Sequence, residues 1–124
     1  RKLLHGDFWP GNTIWFRQRL TGVIDWELAR LGDAARDVAT CRCDLAVLFD
    51  LATADLFARL YEAATGAAVP NLPFWDVYSS TSALWYMSDW VRAYQMLGRR
   101  DLTADQARGR VAVFAEAALE RLQG

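Results

Sequence analysis

The feature that most constrains this chain is a change of hydrophobic period near Asp33. Beyond it, apolar residues such as Val38, Cys41, Leu45, Leu48 and Phe49 recur at helical spacing. Before it, the apolar runs are short, β-branched or aromatic, and Gly6, Pro10 and Gly11 interrupt them. Such a chain folds as a small strand-and-loop head on a helical body. Leu3 and Leu4 end a first strand. TIWF (Thr13–Phe16) and GVID (Gly22–Asp25) form a hairpin around the polar RQRLT. Asp33 caps the first body helix. Thr53 caps a second, which stops at Gly66. AAVPNLP is a loop, and Pro73 opens a long helix that ends near Gly98. TADQ (Thr103–Gln106) is a capping box that starts the last helix. The expected fold is α+β, mainly α, with about four helices. One domain spans 1–124, with the head at 1–32 and the body at 33–124.

Composition narrows the function classes. Hydrophobic residues are 53% of 124, enough for a core, and the net charge of -1 gives no basic footprint for nucleic acid. No apolar run is long enough for a membrane span. Cys41 and Cys43 fall on one helix and point to different faces, so two reduced thiols are expected rather than a disulfide. A single histidine leaves little for a zinc site.

The chemistry concentrates in HGDFWPGN, His5–Asn12, and VIDWE, Val23–Glu27. Asp7 and Asn12 share an irregular loop, and the hairpin can return Asp25 to the side of Asn12. That gathers two carboxylates and an amide, all oxygen donors of the kind a hard cation such as Mg²⁺ takes. A carboxylate that is not a ligand can accept a proton from an attacking hydroxyl. Phosphoryl transfer needs these parts, because it depends on positioning and charge neutralisation.

The two motifs, in this order with a hairpin between, resemble the catalytic and metal-binding segments of the aminoglycoside phosphotransferase family, which shares its fold with protein kinases. The resemblance implies the C-terminal lobe portion of a protein-kinase-like fold. It implies Asp7 as the catalytic base, and Asn12 and Asp25 as ligands of a Mg²⁺ that bridges the phosphates of ATP. His5 props the loop. GDAARDVA resembles the family's segment after the metal site, where Asp37 would hydrogen-bond the catalytic loop. Otherwise Asp37 is an exposed charge near a helix N-terminus. Glu27 supports the metal, faces a cationic substrate, or is simply solvated.

The family's phosphate-holding lysine and adenine hinge lie ahead of the catalytic loop, where only Arg1–Leu4 stand here, and no nucleotide-binding residue is assigned. The expected activity is phosphorylation of a hydroxyl on a small molecule, with the chain inactive alone. The alternative is a non-catalytic kinase-like remnant serving as a binding or assembly module. The missing preceding segment would leave an apolar face bare, so a homo-oligomer through that face is expected. The need for ATP points to the cytoplasm. Finally, Phe74–Met96 is rich in aromatic residues. At helical spacing such a stripe is core, or else a wall for a cationic acceptor with Trp85 and Asp89 facing the substrate.

Overall fold

The computed structural model describes residues 1–124. Helix α1 (Ala34–Leu48) begins where the Asp33 carboxylate accepts a hydrogen bond from the Ala35 N–H, 3.0 Å away. The same carboxylate accepts from Asn71 Nδ2 (3.1 Å) and Trp75 Nε1 (3.0 Å), which ties the loop before the third helix to the start of the first. Helix α2 (Leu51–Thr65) is capped by Asp50 rather than Thr53, because the Asp50 carboxylate accepts from both the N–H and the Oγ1 of Thr53 at 2.7 Å. It ends on Gly66, whose φ of 68° suits a residue without a Cβ.

The long aromatic helix is two helices, α3 (Leu72–Trp85) and α4 (Met87–Met96), joined at Tyr86 with φ −104° and ψ 20°. The run Ser79-Ser80-Thr81-Ser82 explains the break. Ser80 Oγ donates to the Asp76 carbonyl (2.8 Å), Thr81 Oγ1 and Ser82 Oγ donate to that of Tyr78 (2.7 and 3.3 Å), and such back-bonding bends a helix. The body therefore has five helices, not four. The last, α5 (Ala104–Gln123), opens on the Thr103–Gln106 capping box as its sequence predicts.

The head holds two small antiparallel sheets. Strand β1 (Lys2–Leu4) pairs with β4 (Arg30–Gly32), a strand with no clear sequence signal, with Leu3 opposite Leu31. Strands β2 (Thr13–Phe16) and β3 (Arg19–Val23) form the hairpin. Its turn is only Arg17-Gln18, both at positive φ (48° and 64°), so the connection is tighter than the five-residue RQRLT loop, and Ile24 and Asp25 fall beyond the strand.

The core sits in the body. Thirteen buried residues form one cluster, with Val47 from α1, Met87 and Tyr94 from α4, and Val111 and Phe114 from α5 at its centre. Ala54, Ala83 and Ala107 let the helices approach closely. A polar lock crosses it. The fully buried Asp76 of α3 is gripped by Arg42 of α1 (Nε to Oδ1, 3.1 Å) and Arg121 of α5 (2.6 Å), while Arg42 also reaches the Ala54 carbonyl of α2 (2.9 Å). Cys41 and Cys43 are free, buried thiols, and burial pushes both well above the ordinary thiol range. No helix is long and apolar enough to cross a membrane.

Candidate active site

The loop after β1 is pinned from several sides. His5 is 3% exposed, and its ring packs on Trp26 at 4.6 Å. The Asp7 N–H donates to His5 Nδ1 (3.1 Å), which assigns the ring proton to Nε2, 2.6 Å from the Ile24 carbonyl. Gly6 has φ 92°, and a Cβ there would lie 2.3 Å from the Leu28 carbonyl oxygen, so the close approach of loop and return segment requires glycine. The Asp37 carboxylate of α1 accepts from the N–H groups of His5 (2.6 Å) and Gly6 (3.1 Å). Phe8 stacks on Phe57 of α2, and Trp9 packs edge-on against Tyr94 of α4. The two aromatic residues after Asp7 thus anchor the loop to the body.

Asp7 and Asn12 meet directly. Asn12 Nδ2 donates to the Asp7 carbonyl (2.8 Å) and to Asp7 Oδ2 (3.2 Å). The Ile24 N–H donates to the Asn12 carbonyl (2.9 Å), which extends the hairpin ladder by one step and sets Asp25 next to the residue facing Asn12. Asp25 is exposed and in the left-handed region (φ 61°, ψ 55°), at the start of the 3-10 turn Trp26–Leu28. The backbone therefore carries Asp25 back beside Asn12.

The donor set suits a lightly held hard cation. The Asn12 amide nitrogen is engaged, while its Oδ1 accepts no hydrogen bond. No enclosed side-chain nitrogen or oxygen lacks a partner, so that oxygen reaches solvent although Asn12 is 5% exposed. With the Asp25 carboxylate it offers two oxygen donors, the number Mg²⁺ takes from protein when water and phosphates supply the rest. No three His, Cys, Asp or Glu side chains come close enough together to hold a metal ion, so an all-protein cage is not built. Glu27 lies exposed on the 3-10 turn and makes no ion pair or hydrogen bond.

Two clefts flank Asp7 and share Trp90 as a wall. One, of about 180 Å³, is lined by Asp7, Trp9, Asp44, Asp89 and Tyr94. Asp44 is 4% exposed, accepts a hydrogen bond from the Tyr94 hydroxyl, and is pushed up to about 8 by burial and the nearby Asp7 charge. The other, of about 310 Å³, joins Asp7 and Gly6 to Arg36 and Thr40 of α1 and to Ser79 and Ser82 of α3. Asp89 thus reaches the surroundings of Asp7. Trp85, at 82% exposed, lines neither cleft, and Trp90, five residues on and therefore on another face, takes the inward place. The aromatic stripe is neither all core nor all wall. Sequence reasoning missed Asp44, Arg36 and Ser79. The spacing of Asp37, Thr40 and Asp44 on α1 was a usable signal for the first.

Fold and site together define a mainly helical α+β protein whose strand head holds an acid and an amide in one braced loop. Compared with known families, residues 1–78 match the phosphotransferase enzyme family, APH, and the chain belongs to it. Neither the curated proteins nor the solved structures gave a match.

Proposed function

We propose that the chain carries the base and the metal ligands of an ATP-dependent phosphotransferase that acts on a hydroxyl of a small molecule. The observation that carries this reading is the Asn12 side chain. It ties its nitrogen to Asp7 and keeps its oxygen free of any hydrogen bond, and the hairpin backbone returns Asp25 to the position next to the one facing Asn12. Asp7 accepts the proton of the attacking hydroxyl. Asn12 and Asp25 hold Mg²⁺, which when bound neutralises the charge of the nucleotide phosphates. His5 and Asp37 hold the loop in shape. A cytoplasmic setting, where ATP is available, suits that chemistry.

The test is Mg²⁺-dependent ATP consumption by the gene product across a panel of small hydroxyl acceptors. Asp7→Asn should lower kcat by about 10²- to 10⁴-fold with the fold intact. Full activity in Asp7→Asn would sink the assignment. Calorimetry of ATP and Mg²⁺ on these 124 residues separates the remnant reading. Weak binding is expected, and what remains should vanish in Asp25→Ala.

A further inference from the structure

The cleft between α1 and α3 holds a cation that pairs with no carboxylate, although Asp7 lines the same space. The Arg36 guanidinium makes no ion pair and no hydrogen bond, unlike the arginines at 42, 99, 108 and 121. It lies against the rings of Trp75 (5.6 Å) and Tyr78 (5.3 Å). Trp75 is itself fixed through its indole N–H to Asp33, the α1 cap, so the bracket is rigid. Across the cleft stands Ser79, 4% exposed, whose hydroxyl has no partner in the protein. Because no enclosed side-chain nitrogen or oxygen lacks a partner, that hydroxyl meets solvent, and the surface it lines is this cleft. A bracketed guanidinium and a free buried hydroxyl, facing one space, are an oxyanion site that awaits its ligand.

The position of the cleft says whose oxyanion it is. Asp7 lines it, while Asn12 and Asp25 do not, so it opens away from the proposed metal side. We propose that Arg36 and Ser79 bind a carboxylate on the acceptor, which makes the acceptor a small hydroxy acid with its hydroxyl at Asp7. This rests on the phosphotransferase reading above. A planar, singly charged carboxylate matches one guanidinium, whereas a phosphate dianion would bring excess negative charge beside Asp7. The smaller cleft is the wrong place for it, since Asp44 and Asp89 stand there with Asp7.

The experiment is an amide NMR titration of the chain with D-glycerate, with glycerol, ethanolamine and inorganic phosphate as separate arms. Glycerate should shift Gly6, Thr40 and Ser79 in the millimolar range, and glycerol and ethanolamine should not. Arg36→Gln should weaken glycerate by about ten-fold or more. Ser79→Ala should weaken it less, and a dispersed spectrum of each variant reports its fold. Shifts that are absent, equal with glycerol, or unchanged in Arg36→Gln would overturn the proposal. Phosphate binding tighter than glycerate would overturn the carboxylate. Asp25→Ala separates the two readings. It should lose any Mg²⁺–ATP binding and keep the glycerate shifts, so glycerate binding without nucleotide binding isolates a failure of the phosphotransferase reading.

Discussion

The Nε2 of His5 lies 2.6 Å from the carbonyl oxygen of Ile24 and thereby bridges two segments nineteen residues apart. Its other nitrogen accepts from the Asp7 N–H, so one buried ring fixes both the loop that carries Asp7 and the residue before Asp25. Replacing it by Ala removes both partners at once.

His5→Ala should therefore destabilise the chain by about 1–3 kcal/mol, the cost of leaving the Asp7 N–H and the Ile24 carbonyl without their partner and of emptying the buried ring's place. Denaturant unfolding measures it. A loss below a few tenths of a kcal/mol would mean that the ring does not brace the loop.

Asp76→Ala should cost more, about 3–5 kcal/mol, because it leaves the buried Arg42 with only the half-exposed Asp55 as a carboxylate partner. The double variant Arg42→Met/Asp76→Leu should recover much of that loss, since both charges leave together. Additive destabilisation in the double-mutant cycle would show that the pair is not coupled.

Asp44 sets a pH dependence. Burial raises its folded-state value to about 8 from an ordinary 3.8, so the folded chain holds a proton that the unfolded chain has released. Stability should then fall as pH rises from about 4 to about 8, and level off above. Asp44→Asn keeps an acceptor for Tyr94 and removes the ionisation. Its Tm should decline less than that of the parent between those limits, and parallel Tm curves would refute the shift.

The head exposes apolar side chains, among them Leu3 (66%) and its cross-strand partner Leu31 (64%). Each strand of that two-stranded sheet has one neighbour and one open edge. Open edges beside apolar surface pair with copies of themselves. Light scattering should find a dimer or larger species at moderate concentration, and Leu31→Lys should shift it toward monomer. A monomeric parent chain would count against self-association.

Much of the head was legible because its information is local. His5, Asp7 and Asn12 sit within eight residues, and a hairpin of known polarity can only bring Asp25 back toward Asn12. Helix caps at Asp33, Gly66 and Thr103 were equally local, since each cap depends on atoms two to four residues away. The misses at Thr53 and at the hairpin turn were of one kind. Asp50 competed for the same cap, and a two-residue turn at positive φ formed without the usual Gly or Asn.

By itself, the sequence determined the head–body division, the motif that carries the acid and amide, and the family. Only the tertiary structure decided what surrounds Asp7. Arg36, Asp44, Ser79 and Trp90 come from three helices, and helical periodicity says which residues share a face without saying what that face meets. Spacing puts Trp85 and Trp90 on different faces, but only the packing of α4 decided that Trp90 lines both clefts while Trp85 stands in solvent.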